Sequence, residues 1–170
     1  MTINNKEVKM EEKKNCMSLK FLSLSENEPF ARSCIQAFCL SLNPTISELN
    51  DVKTSVSEAV TNCIVHAYAD KEGVVTVEAE TFGNSIHIKI SDEGSGIEDV
   101  EKAVEPFFTT RPDDERSGMG FTVMNAFMDE VKVISVKGSG TVIEMIKRFS
   151  SGAGNSLCDN AADVAWGKDA

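Results

Sequence analysis

The 170-residue chain has two histidines, one tryptophan and one tyrosine. With only His66 and His87 available, a histidine-rich metal centre or a conventional His-based triad has little support. The five cysteines (Cys16, Cys34, Cys39, Cys63, Cys158) are odd in number and show no C-x-x-C spacing. They fit neither a disulfide framework nor a structural zinc site, and reduced thiols in a cytoplasmic protein are the expectation. No apolar signal region opens the chain and no uninterrupted apolar run reaches membrane-spanning length, so neither secretion nor a transmembrane helix is expected. Positive charge is also short: 17 Lys+Arg face 27 Asp+Glu, a net charge of -10. Sequence-independent nucleic-acid binding needs many cations over phosphates and is therefore not expected. Three phosphate-binding signatures are missing as well: G-x-x-x-x-G-K-[ST], a G-x-G-x-x-G after a first strand, and H-R-D with D-F-G. P-loop, Rossmann and ordinary protein-kinase readings fail with them.

What remains is the composition of one ordinary globular domain, 41% hydrophobic and 26% charged. Residues 1–17 are polar and lysine-rich, predicting a flexible leader, with Met10 and Met17 as alternative starts. Residues 150–170 are small, polar and acidic and predict a disordered tail. Leader and tail charges nearly cancel, so residues 18–149, the expected domain, hold almost all of the acid.

Within that domain, Phe30, Cys34 and Phe38 beside Ala31, Ile35 and Leu42 predict a helix over 28–42, with Ser25 and Glu28 as a capping box. Thr45 and Glu48 form a second capping box, opening a helix to about Ala67 that buries Leu49, Val52, Val56, Ala59, Cys63 and Ala67. Residues 74–82 and 85–91 predict a hairpin turning at Gly83-Asn84, and Ile86, Ile88 and Ile90 alternate strictly. A short helix near 98–104, a turn-rich segment from Glu105 to Gly118, a helix from Gly120 to Met128 and strands at 131–137 and 141–148 complete the string. The order predicts an α+β two-layer sandwich, with helices over one face of a mixed, mostly antiparallel sheet.

Three constellations carry chemistry. On the second helix, Glu58, Asn62 and His66 recur every four residues. At about 100° per residue they fall roughly 200°, 240° and 280° from Val56, along the edge of the buried stripe. There they line a cleft with a carboxylate, an amide oxygen suited to Mg²⁺ and an imidazole; a solvated face with chance spacing is the alternative. The second is Asp92-Glu93-Gly94-Ser95-Gly96 at the end of a strand. Its carboxylate can accept from a flat ligand, such as the exocyclic amine of a purine, while the glycines let the backbone approach. An acidic turn is the alternative, although EF-hand spacing is missing. The third, Pro106 to Gly120 (PFFTTRPDDERSGMG), ends in glycines before a helix, where backbone N–H groups bind anions and Arg111 and Arg116 add positive charge. Such a segment suits a mobile lid, or an ordinary surface loop anchored by Phe107 and Phe108.

In this order, Glu58-x-x-x-Asn62, Asp92-x-Gly94-x-Gly96 and Gly118-x-Gly120 resemble the GHKL ATPases, the superfamily of gyrase, Hsp90, histidine kinases and MutL. SEAVTNCIVHAY, SDEGSGI and PFFTTRPDDERSGMGFTVM are most similar to the anti-sigma serine-protein kinases of endospore formers, the sporulation sigma F type. The resemblance covers residues 18–149. It implies a Bergerat-type ATP-binding fold, ATP/ADP and Mg²⁺ as ligands, Glu58 as general base, Asn62 as Mg²⁺ ligand and Arg116 beside the γ-phosphate. It further implies Asp92 on adenine N6 with support from Thr141, Gly94 and Gly96 along the purine, and Gly118, Met119 and Gly120 on the phosphates. His66 and Thr110 join the nucleotide-binding set, with a structural hydrogen bond as the other reading of His66. The implied function is ATP-dependent inhibition of a sporulation sigma factor and phosphorylation of a serine on an anti-anti-sigma antagonist, by a homodimer. Glu28 and Arg32, on the first helix, are the candidate partner surface. Two alternatives remain: a general-stress, sigma B type anti-sigma kinase, and a histidine-kinase catalytic domain. The latter calls for an upstream phosphoacceptor hairpin, which residues 1–20, without a His, do not supply.

Overall fold

The computed structural model describes residues 13–68, 71–105 and 119–150. The chain runs β1 (Lys13–Leu22), α1 (Asn27–Cys39), a 3₁₀ turn (Leu40–Leu42), α2 (Ile46–Asn62) and a π-helical turn (Cys63–Ala67). It continues through β2 (Val74–Phe82), β3 (Ser85–Asp92), α3 (Val100–Ala103), α4 (Gly120–Phe127), β4 (Glu130–Val136) and β5 (Gly140–Arg148). The five strands form one sheet in the order β1-β2-β3-β5-β4, and every neighbouring pair is antiparallel. The expected sandwich is thus observed with a wholly antiparallel sheet. Strand β1 went unread in the sequence, and residues 13–17, assigned to the leader, belong to it. Its register, from Cys16 opposite Glu80 to Leu22 opposite Val74, extends the β2-β3 hairpin by one edge strand.

Alternation sets the layers. Val75, Val77 and Ala79 of β2, Ile86, Ile88 and Ile90 of β3, and Ile143 and Met145 of β5 are all buried, as a sheet covered on one face requires. The helices supply the matching surface: Val52, Val56, Ala59 and Val60 from α2, Ala31, Ile35 and Cys39 from α1, and Met124 from α4. In α1 this corrects the expected stripe. The small Ala31 and Cys39 flank Ile35 in the core, whereas Phe30 is 52% exposed, because close helix approach favours small side chains along the contact line. The open face of the sheet carries ion pairs such as Lys89–Glu78 at 3.1 Å and Lys132–Glu144 at 3.7 Å.

Helix α2, which carries the candidate catalytic row, is fixed at its start and along its first half. Thr45 Oγ1 accepts the Glu48 N–H at 3.2 Å while Glu48 Oε2 accepts the Thr45 N–H at 2.8 Å, the capping box expected there. Glu48 Oε1 also accepts the Ser150 N–H at 2.7 Å, tying the end of the sheet to the helix start. The Ser25–Glu28 capping box does not form. Glu26 is the N-cap residue, without a side-chain cap, and the Glu28 N–H meets the backbone carbonyl of Ser25 at 3.3 Å. Midway along α2, Asp51 pairs with Lys147 of β5 at 3.0 Å, and Lys147 also donates to the Phe127 carbonyl at the end of α4. One half-buried ammonium therefore joins α2, α4 and the sheet.

Candidate functional site

Glu58 and Asn62 sit one turn apart near the C-terminal end of α2, both half-buried. Helix α4 begins directly against them. A Cβ built on Gly120 would stand 3.1 Å from Glu58 Oε2, 3.5 Å from Asn62 Nδ2 and 3.7 Å from Asn62 Oδ1. Only glycine brings the backbone of an anion-favouring helix start this near to the carboxylate and amide without displacing them. Met119, the N-cap residue, makes no side-chain capping bond. The structure thus brings Glu58, Asn62, Met119 and Gly120 together.

Beyond Asn62 the α-helix widens into the π turn Cys63–Ala67, a form that recurs at functional sites. The wider turn rotates His66 out of the row that a 3.6-residue period predicts. Its side chain is exposed, and its carbonyl accepts the Ser95 hydroxyl at 3.1 Å. The next carbonyl, of Ala67, accepts the Ser95 N–H at 3.0 Å. A Cβ on Gly94 would collide with the Ala67 carbonyl, and one on Gly96 with the Val136 carbonyl. Gly96 also has φ +64°, a conformation that side chains with a Cβ rarely adopt. Both glycines are therefore required by close packing of the loop between the π turn and the β4-β5 turn. Tyr68 completes the attachment: its hydroxyl accepts the Glu93 N–H at 2.7 Å and donates to the Val74 carbonyl at 2.9 Å.

Asp92 ends β3 as a buried carboxylate, 6% exposed. Its Oδ1 accepts the N–H of Gly94 at 2.9 Å and that of Thr141 at 3.3 Å. Burial pushes the Asp92 carboxyl above the ordinary carboxylate range, against the downward pull of these donors. Burial, followed by the Asp92 charge, holds the Cys63 thiol well above its usual value, so it stays protonated. Thr141 stands opposite Asp92 on β5, and Ser135 stands opposite Thr141 on β4. The Ser135 hydroxyl donates to the Gly140 carbonyl at 2.9 Å and lies 2.8 Å from Thr141 Oγ1. With its proton committed, Ser135 accepts from Thr141, and the lone pairs of Thr141 remain for a ligand. Cys63, Tyr68, Ser95 and Ser135 were not assigned to the site from sequence. Cys63 reads there as core, and only strand register reveals the row Asp92–Thr141–Ser135.

Thr110, Arg111, Arg116 and Gly118 lie outside the described residues, as does most of the expected lid. Glu28 and Arg32 lie on α1, away from the α2–α4 contact, and pair with each other at 3.1 Å, half-buried. Neither Glu28 Oε1 nor Arg32 Nε makes a hydrogen bond in that arrangement. Among the described residues, no cluster of three His, Cys, Asp or Glu could cage a metal. An ion beside Asn62 would take one amide oxygen from the protein and the rest of its shell from phosphates and water, a donor set that fits Mg²⁺. Nor is any described helix long and apolar enough to cross a membrane.

Comparisons with known proteins agree with this geometry. The histidine kinase-like ATPase domain family matches residues 22–147. The anti-sigma F factor of Caldanaerobacter subterraneus subsp. tengcongensis is 59% identical over 133 residues, covering 78% of this chain and 93% of that protein. That of Clostridium acetobutylicum is 57% identical over 136 residues, covering 80% and 95%. Among solved structures, the RsbU and RsbW domains of Rv1364c from Mycobacterium tuberculosis superpose with a TM-score of 0.59 at 16% identity. That match covers 80% of this chain and 33% of the larger one, so the chain spans about a third of its length, and it shows the shared fold alone. The match across most of the domain, together with more than half of the aligned residues identical to these relatives, shows that the chain belongs to the anti-sigma F factor family of histidine kinase-like ATPases.

Proposed function

We propose that the chain is an ATP-dependent anti-sigma factor of the sporulation, sigma F type that also phosphorylates a serine of its anti-anti-sigma antagonist. The approach of Gly120 to Glu58 and Asn62 carries this reading. It sets a helix start suited to phosphate against a carboxylate suited to proton abstraction and an amide oxygen suited to Mg²⁺. Asp92 and Thr141 form the base-recognising end, with Gly94 and Gly96 along the purine. Arg116, Thr110 and Gly118 complete the phosphate end on the lid.

In the transfer, Glu58 takes the proton of the acceptor serine hydroxyl as that oxygen bonds to the γ-phosphorus. The bond from the γ-phosphorus to the β,γ-bridging oxygen breaks, and ADP leaves. Asn62 would hold Mg²⁺ through its side-chain oxygen, and the ion would supply charge neutralisation at the phosphates. The chain's net charge of -10 opposes a polyphosphate overall, so binding calls for a local arrangement of this kind. Glu28 and Arg32 form part of the surface that meets the sigma factor or antagonist. Action as a homodimer in the cytoplasm belongs to the same reading.

The test is incubation of the chain with γ-labelled ATP, Mg²⁺, the antagonist and the sigma factor. Phosphoserine on the antagonist, absent with Glu58→Ala, is the expected result. Phosphohistidine, or no binding of ATP, overturns the reading. Tighter binding to a general-stress sigma factor than to the sporulation type transfers it to the sigma B class.

A further inference from the structure

Helix α4 (GFTVMNAF) carries no charged residue, and so has no basic group in its last turn. The cation that a helix C-terminus favours comes to it from the sheet. Lys147 Nζ of β5 donates to the Phe127 carbonyl at 2.6 Å and to Asp51 Oδ2 of α2 at 3.0 Å. The Lys147 and Asp51 side chains are 13% and 26% exposed, so the pair is set among packed elements rather than on open surface. Two further bonds hold the same end of α4: the Asp129 N–H donates to the Ile146 carbonyl at 2.9 Å, and the Arg148 N–H donates to Asp129 Oδ2. The opposite end of α4 is Gly120, against Glu58 and Asn62. Asp51 precedes Glu58 by seven residues, and Gly120 precedes Phe127 by seven, a rise of about 10 Å along each helix. Helix α4 therefore runs back along α2 over a matched length, tied through Lys147 at one end and meeting the carboxylate and amide at the other.

We propose that Lys147 is a positioning residue for phosphoryl transfer: by tying the end of α4 to Asp51, it sets the register at which Gly120 stands against the Glu58 carboxylate. The core that the two helices share is apolar, with Val52, Val56, Ala59 and Val60 from α2 and Met124 from α4. Apolar burial is non-directional, so it holds α4 on the sandwich without fixing where α4 stops along α2. Hydrogen bonds from an ammonium to a carboxylate and a carbonyl are directional and strengthened by charge, and they supply that stop. Misplacement of a reacting group by about 1 Å costs on the order of a hundredfold in rate even when its cause is remote, so a small slide of α4 is enough to matter. This role rests on the reading of Glu58 as the general base.

A double-mutant cycle between Lys147 and Glu58 provides the test. Lys147→Met keeps the aliphatic stem and removes the ammonium. Single-turnover phosphorylation of the antagonist at saturating ATP and Mg²⁺ is measured in the parent, Lys147→Met, Glu58→Ala and the double variant, below the lowest of their melting temperatures. Lys147→Met slows transfer by at least about tenfold in the parent. In the Glu58→Ala chain the same substitution changes the rate by no more than about twofold, because a residue that acts by placing Glu58 has nothing left to place. Asp51→Asn keeps its side-chain volume and weakens the same tie from the α2 side, so it repeats the cycle in a chain whose packing is less disturbed. Its smaller loss likewise shrinks to within about twofold when Glu58 is absent. Losses of equal size with and without Glu58 assign Lys147 to the general stability of the fold and overturn the proposal, as does an unchanged rate in Lys147→Met. A parent chain that binds ATP but phosphorylates no serine, or a Glu58→Ala chain as active as the parent, instead overturns the proposed function of the site, and the role of Lys147 with it.

Discussion

Gly120 at the start of α4 lies so close to Glu58 of α2 that a single added carbon would stand 3.1 Å from the carboxylate oxygen Oε2. The neighbour that must yield is the far end of a flexible side chain rather than backbone. Gly120→Ala therefore keeps the fold, with stability within about 1 kcal/mol of the parent because alanine favours helix. The displaced carboxylate loses its catalytic position, and serine phosphorylation slows at least about tenfold, roughly 1.4 kcal/mol in the barrier. Thermal melts beside single-turnover transfer measure both; full activity in this variant refutes the placement of Glu58.

Glu58 and Asn62 separate by function although they share a helix turn. Glu58→Ala lowers transfer by about 10²- to 10⁴-fold while ATP still binds, since general-base catalysis acts in the transition state. Asn62→Ala weakens nucleotide binding in Mg²⁺ and leaves the weaker binding in EDTA nearly unchanged. Titrations with and without the metal distinguish the two.

Asp92→Asn weakens ATP binding without harming the fold. Burial raises the carboxyl's pKa in the folded chain, so its ionisation lowers stability as pH rises from the unfolded value toward the folded one. The neutral amide removes that penalty. The nucleotide-free variant melts no lower than the parent at pH 7, while its preference for adenine shrinks. A clearly lower melting temperature assigns Asp92 to the fold instead.

Glu48 has the opposite sign. Burial pushes its carboxyl up, but hydrogen bonds from Ser150 and Thr45 outweigh this and hold it down at about 2. Its contribution is therefore complete above pH ~4.5 and is lost as pH falls toward about 2. Much of the group faces solvent, so the expected cost of Glu48→Ala is that of a helix cap, roughly 1 kcal/mol at pH 7. Denaturant melts across this range show a shallower acid limb in the variant.

Arg32→Glu places two carboxylates where an ion pair at 3.1 Å now stands. Sigma-factor affinity falls by about tenfold, roughly 1.4 kcal/mol, and ATP binding is unchanged because α1 lies away from the α2–α4 contact. Unchanged sigma binding removes this helix face from the partner surface.

Strong local signals carried most of the fold into the sequence reading. Ile86, Ile88 and Ile90 alternate strictly, and Gly83-Asn84 and Gly138-Ser139-Gly140 mark hairpins, so β2 to β5 appear at nearly their observed limits. Thr45 and Glu48 fix the start of α2 for the same reason, because a capping box uses only neighbours in sequence. Strand β1 was missed because its polar beginning, Lys13 to Cys16, lacks alternation; it is a strand because the exposed edge of β2 offers it a hydrogen-bonding partner. On α1 the periodicity places Ala31 and Ile35 in the core and Phe38 and Leu42 against it, but it gives a face and not its centre, and the approach of α2 selects Cys39 over Phe30.

The candidate site divides along the same line. Sequence alone determined the chemical types and their order: a carboxylate and an amide four residues apart, a carboxylate before glycines, and glycines before a helix. Each depends on covalent spacing and short-range geometry, which residue identity encodes directly. Tertiary structure alone decided that Gly120 closes on Glu58, that Asp92, Thr141 and Ser135 form one row across three strands, and that the π turn takes His66 out of the helical row. Those relationships join residues up to 62 positions apart, or depend on how a helix end meets a loop. Only packing and strand register, not local propensity, bring such groups within a few ångströms.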